Sequence, residues 1–119
     1  MDQAKTRPYP EVPPLRFAEG TVRLLLNADA YHLAAIQKTS YAFADRCTAL
    51  IRNVQDGVIP LSLVFRPTTM ETDALEVARR FLQDLLDQEL REQIGEETRA
   101  IRSLILAHAF SRTDLIRRD

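Results

Sequence analysis

A single cysteine, Cys47, among 119 residues excludes an intramolecular disulfide and any cysteine-held metal cluster built by this chain alone. Glycine is nearly as scarce, at three, and none of G-x-x-x-x-G-K-[ST], G-x-G-x-x-G or G-x-S-x-G occurs, which excludes phosphate-cradling loops and a nucleophile elbow. Charge of one sign is missing too. Sixteen Lys and Arg stand against seventeen Asp and Glu, so the net charge of -1 offers no global field to a polyanion, and nucleic acid is disfavoured as the main partner. No apolar run approaches the roughly 20 residues that cross a bilayer, and the N-terminus has neither the apolar core nor the small-residue cleavage site of a signal peptide. A reducing cytoplasm fits these absences, with no membrane contact expected.

What is present is ordinary globular material, with 45% hydrophobic and 28% charged residues, enough for one core and against wholesale disorder. Residues 1–18 hold four of the six prolines and read as an extended arm, because proline lacks the backbone donor and restricts the residue before it. Leu15 and Phe17 at its end can dock on a single domain spanning residues 19–119.

Thr21 to Asn27 alternates Val22, Leu24 and Leu26 with Arg23 and Leu25, a strand period. Asp29 can cap a first helix with Leu33, Ile36, Ser40 and Phe43 on its apolar side, ending near Asp45 or Arg46. Cys47 to Val54 alternates again, and Asp56-Gly57 supplies the positive φ of a tight hairpin into Val58 to Arg66. Thr72 can cap a second helix with Leu75, Ala78, Phe81, Leu82, Leu85, Leu86 and Leu90 along one stripe and with Glu76–Arg80 and Asp87–Arg91 as exposed i,i+4 pairs. Gly95 is expected to end it, and a third helix follows with Ile101, Leu104, Ile105 and His108 on its packed side.

The order βαββαα predicts an α+β fold, a small three-stranded mixed sheet with helices packed on it. A right-handed crossover makes the first two strands parallel, and the hairpin sets the third antiparallel to the second. Pro60 favours an edge for the third strand, whereas the apolar run after it favours the centre.

Little in the chain announces chemistry. Asp84, Asp87, Glu89, Glu92, Glu96 and Glu97 read as a solvated helix surface rather than as acid/base pairs. His32 and His108 have no zinc-binding spacing, and His108 reads as a hydrogen-bonded core histidine. Cys47 reads as a small buried apolar residue. Neither a cofactor nor a metal is expected. A surface is the better candidate. If the helices cover one face of the sheet, Leu25, Leu50 and Val64 point together from the other, rimmed by Arg23, Arg52 and Arg66 with Thr48 and Ser62. Unless the last helix or the Leu15–Phe17 arm covers it, this face or a free strand edge beside it can dock a protein or an extended peptide.

The run from Leu85 to Glu92, L-L-D-Q-E-L-R-E, followed by E-T-R-A-I-R and A-H-A-F-S, resembles the conserved block of the HxsD family of His-Xaa-Ser systems, with the element order from about Thr21 to Leu115 in agreement. Family members commonly read L-L-N-D-Y-L-R-E there. Leu85, Leu86, Leu90, Arg91 and Glu92 fit this motif, while Asp87, Gln88 and Glu89 depart from it, mostly at positions expected to face outward. The resemblance implies a non-catalytic accessory protein of a radical-SAM peptide-modification system, working beside two maturases, HxsB and HxsC, and a substrate protein, HxsA. A radical-SAM enzyme needs a cysteine triplet for its cluster, so this chain is not the maturase. Two alternatives stay open, a homo-oligomeric structural domain and a small enzyme in which His32 or His108 meets a carboxylate.

Overall fold

The computed structural model describes residues 15–117, with side chains described as far as Ala109. Its elements run β1 (Phe17–Ala18), β2 (Thr21–Asn27), α1 (Leu33–Ala42), β3 (Thr48–Ile51), β4 (Val58–Val64) and α2 (Glu71–Arg117). The class is α+β, as the alternation predicts, but the sheet has four strands in the order β1-β2-β4-β3. Every neighbouring pair in it is antiparallel.

The sheet therefore corrects two expectations. β1 was hidden at the end of the proline-rich arm. Two residues suffice because Glu19 and Gly20, at φ 54 and 71, fold Phe17 back onto Val22 and Ala18 onto Thr21. The sheet is also not mixed. β2 and β3 do run parallel, as the crossover requires, yet β4 lies between them and pairs antiparallel with both. β4 thus holds the centre despite Pro60. Arg52 donates its backbone N–H to the Pro60 carbonyl at 3.0 Å, which uses the proline's acceptor without asking it for a donor.

The hairpin turn is as the Asp-Gly pair predicts. Asp56 and Gly57 sit at φ 52 and 75, and Gln55 and Val58 exchange backbone hydrogen bonds at 2.9 and 3.0 Å across them. Such a two-residue turn with positive φ at both positions matches the twist of the strands it joins.

One face of the sheet carries Val22, Leu24, Leu26, Ile59, Leu61, Leu63 and Phe65 into the core, where they meet Ala35, Ile36 and Phe43 from the α1 region and Ala74, Ala78, Phe81 and Leu85 from α2. Phe81 and Phe43 cross edge to face with centroids 5.4 Å apart. Leu15 and Phe17 pack against this core, and residues 1–14, the rest of the expected arm, lie outside the described residues. α1 is shorter than expected and starts at Leu33, with His32 rather than Asp29 at the cap position; Asp29 instead donates its backbone N–H to the Asn27 side chain at 2.9 Å. Leu33, expected inside, is exposed, while Thr39 takes a buried place and satisfies its hydroxyl on the Ala35 carbonyl.

α2 departs furthest from expectation. It is one helix of 47 residues, and Gly95 does not end it. An interior glycine costs only about 1 kcal/mol relative to alanine, which flanking glutamates, leucines and arginines of good helix propensity offset. Thr72 lies within its first turn, where Ala74 already donates to the Met70 carbonyl. At 1.5 Å per residue the helix is roughly 70 Å long, more than the sheet can cover. Every described residue from Glu96 onward is exposed.

Candidate functional site

Three features outside the core deserve a functional reading: the uncovered sheet face, a histidine clasp joining the two helices, and the outer side of α2.

On the uncovered face, register places Thr21, Val64 and Thr48 in one row, Arg23, Ser62 and Leu50 in the next, and Leu25, Pro60 and Arg52 in a third. No described element lies over these rows. Leu25 is 76% exposed and Leu50 45%, whereas Val64 is partly buried. Arg23, Arg52 and Arg66 are exposed, and a shallow depression lined by Arg23, Leu25, Arg52, Gln55, Pro60 and Ser62 occupies the middle. Five of the six residues expected to share this side, Leu25, Leu50, Val64, Arg23 and Arg52, fall in these rows, while Arg66 lies beyond the end of β4, and the apolar centre is interrupted by Ser62.

The clasp was not foreseen. Glu89, expected on the solvated surface, is 3% exposed and lies one turn beyond Leu85 on the buried stripe of α2. Its Oε1 accepts the His32 backbone N–H at 2.7 Å, its Oε2 lies 2.7 Å from His32 Nδ1, and the Gln93 amide donates to Oε2 at 2.9 Å. The other imidazole nitrogen, Nε2, is 3.0 Å from Glu96 Oε2. Beside it, the Lys38 ammonium donates to Glu92. An imidazole between two carboxylates donates from both nitrogens only as the cation, and these bonds raise the His32 pKa above its ordinary 6.5, led by the bond to Glu89. For Glu89, burial pushes the pKa up, but the hydrogen bonds from His32 and Gln93 outweigh it and leave the value lowered. Glu92 is held low chiefly by Lys38.

These contacts bring together the histidine and carboxylates that an enzyme reading would need. They also join the start of α1 to α2. Both imidazole nitrogens are occupied by carboxylates, and Glu89 has no unfilled side toward solvent. The sequence did hold a signal for this. Ala74, Ala78, Phe81, Leu85 and Glu89 fall on one helical stripe, and an acid at the end of a buried stripe requires a donor from the element packed on it.

The remaining site expectations divide. Cys47 is buried, and burial raises its thiol pKa. His108 is exposed, not in a core. Of the motif residues, Leu85 is fully buried, Arg91 pairs with Asp87 at 3.1 Å, and Glu92 pairs with Lys38, but Leu86 and Leu90 are exposed rather than packed on the sheet. They open a second stripe. Leu86, Leu90, Ile94, Ile101, Leu104 and Ile105 are all at least half exposed, with Leu104 at 72%. At 100° per residue they cluster on one side of α2, well round from the buried stripe. The expected packed side of a third helix is instead the uncovered outer side of a single long one. Helical periodicity reveals an apolar face but not which element, if any, covers it.

Among the described residues no helix is long and apolar enough to cross a membrane. No curated protein and no solved structure matches the chain. The model of one family, His-Xaa-Ser system protein HxsD, matches residues 26–116, a span that contains β3, β4, the helix clasp and nearly all of α2. The chain therefore belongs to the HxsD family.

Proposed function

We propose that this protein is a non-catalytic accessory of a radical-SAM peptide-modification system of the His-Xaa-Ser type, acting in the cytoplasm as an adaptor that holds a maturase, HxsB or HxsC, or the substrate protein HxsA. Family membership supplies the system. The observation that carries the adaptor role is the pair of uncovered surfaces on the two layers of the fold. The sheet layer presents Leu25 and Leu50 among arginines, and the helix layer presents the six-residue apolar stripe of α2.

Every residue from Glu96 to Ala109 is exposed, and a helix segment without a packed face is marginal in water, because nucleation is costly and propensity alone gives little. Retaining six large apolar side chains along such a segment and its approach makes sense if another protein covers them. Two separate surfaces let one small chain bind two proteins at once, raising the effective concentration of substrate at the maturase without any bond-making of its own.

Co-purification with HxsB, HxsC and HxsA, each expressed separately with this chain, tests the reading. Binding of at least one is expected, with loss of a partner in Leu25→Asp/Val64→Asp or in Ile94→Gln/Ile101→Gln/Ile105→Gln. If none of the three co-purifies and light scattering shows a stable homo-oligomer, the structural-domain alternative replaces the adaptor. Replacing both His32 and His108 tests the enzyme alternative: a folded variant that still binds its partners yet loses system function would favour a small enzyme.

A further inference from the structure

The antiparallel ladder fixes which backbone groups of β3 are free. Because Arg52 donates to Pro60 at 3.0 Å and pairing steps back through Leu50↔Ser62 and Thr48↔Val64, residues 48, 50 and 52 turn their N–H and C=O groups toward β4. Ala49 and Ile51 turn theirs outward, and β3 is the last strand on its side of the sheet. Natural edges are usually blunted by proline, lysine or a bulge. The strand Thr-Ala-Leu-Ile has no proline or charge of its own.

The surroundings of this edge are basic. In the helix layer as far as Glu92, cations are matched to carboxylates, Arg79 and Arg80 to Glu76, Arg91 to Asp87 and Lys38 to Glu92, while Arg99 and Arg102 lie further out on α2. Around β3, Arg46, Arg52 and Arg66 are exposed, with Arg23 two strands away on β2, and among the described residues none of the four has a carboxylate within 4.0 Å. Arg46 lies over the Phe43 ring, 5.2 Å from its centroid, and borders with Arg66 a depression at the start of β3. Asp45 also lines that depression, leaving two arginines to one acid there.

We propose that the outer edge of β3 is a strand-addition site for an acidic, extended peptide segment. Two outward donors and two outward acceptors, on the alternate residues Ala49 and Ile51, supply main-chain hydrogen bonds to a fifth strand added beside β3. Alternate side chains of that peptide fall on the helix side, next to the half-buried Ala49 and Ile51, and want to be apolar. The others fall on the open side with Leu50, Arg52 and the neighbouring arginines, and want to be carboxylates. The binding site stands on the chain's own geometry; only the assignment of the segment to a protein of the modification system rests on the accessory role proposed above.

Fluorescence anisotropy of the full chain with labelled synthetic peptides of about ten residues tests it, using a Val/Glu alternation, its Val/Lys counterpart, and the Val/Glu peptide N-methylated on alternate amides. The Val/Glu peptide is expected to bind, with affinity falling as salt rises, and roughly tenfold more tightly than either of the others. Ala49→Pro removes one outward donor and leaves the ladder to β4 intact; binding is expected to drop about tenfold with the unfolding midpoint held. Arg52→Glu/Arg66→Glu is expected to exchange the preference toward Val/Lys. Hydrogen exchange on the unmutated chain gives a readout independent of any variant's folding, with peptide-dependent protection of the Ala49 and Ile51 amides. Equal binding of the acidic and basic peptides, no binding of the acidic one, or no added protection at Ala49 and Ile51 would overturn the proposal. Each of these results is separate from the co-purification outcome, so either reading can fail alone.

Discussion

Replacing Glu89 with alanine probes the one buried charge among the described residues of the helix layer. The carboxylate accepts three hydrogen bonds, from the His32 backbone, the His32 ring and the Gln93 amide, at 2.7, 2.7 and 2.9 Å. Bonds to a charged group contribute about 1.5–3 kcal/mol each, but deleting the carboxylate also removes its desolvation cost, so the net loss is about 2–4 kcal/mol rather than the sum. For a domain of this size that corresponds to a fall in Tm of roughly 10–20 °C. Glu89→Gln keeps the shape and one acceptor and is expected to lose about half as much. The pH profile separates the contributions. The raised pKa of His32 makes its stabilisation complete below 6.5 and lost as pH climbs through the folded value. The lowered pKa of Glu89 makes its stabilisation complete above 4.5 and lost as pH falls through the folded value. Stability measured by urea denaturation and circular dichroism from acid to mildly alkaline pH is therefore expected to peak between these two limits. His32→Gln should flatten the alkaline limb and leave an acid limb to which Glu92, held low by Lys38, also contributes. An unchanged alkaline limb in His32→Gln, or a Glu89→Ala chain within about 0.5 kcal/mol of the parent, would refute the clasp as a stabilising device.

Phe81→Ala empties a fully buried site against Phe43 and is expected to cost about 3–5 kcal/mol, read as a shifted denaturation midpoint. Gly57→Ala introduces no clash but forces a side chain onto φ +75, with an expected loss of about 1 kcal/mol by the same assay. Ile94→Gln/Ile101→Gln/Ile105→Gln should leave the isolated chain within about 0.5 kcal/mol per site, because these side chains are already exposed. In the isolated chain, amides of α2 beyond Thr98 should exchange faster than those from Ala74 to Glu89, and protection there on adding a maturase would locate its contact.

The parts of the fold legible in the sequence are those whose local pattern has one tertiary solution. Val22, Leu24 and Leu26 alternate with polar or exposed neighbours, so β2 and its inward face follow from period alone. Asp56-Gly57 is a turn whose chemistry admits few alternatives. β1 escaped because two residues carry no period, and only the contact with Val22 makes them a strand. Gly95 misled for a related reason. A glycine lowers helix propensity by a fixed small amount, and whether that ends a helix depends on the sum of its neighbours, which favours continuation on both sides.

For the candidate sites the division is sharper, and it turns on α2. Its residues from Ala74 to Glu89 follow one stripe into the core, while Leu86, Leu90, Ile94, Ile101, Leu104 and Ile105 follow another that faces away from it. A periodicity argument merges the two, because Phe81 to Leu85 and Leu82 to Leu86 to Leu90 satisfy the i,i+4 spacing equally well; only the position of the sheet distinguishes them. The motif leucines thus carry two different jobs, with Leu85 holding the helix down and Leu86 and Leu90 beginning the surface turned outward. Glu89 stands between the stripes at the point where the core ends. It anchors α2 to the start of α1 through His32, and with Glu96 on the other imidazole nitrogen it fixes the direction in which the unsupported half of the helix leaves the domain. Breaking the clasp should therefore weaken a partner bound to the distal stripe more than one bound to the sheet face, even though His32 and Glu89 touch neither surface.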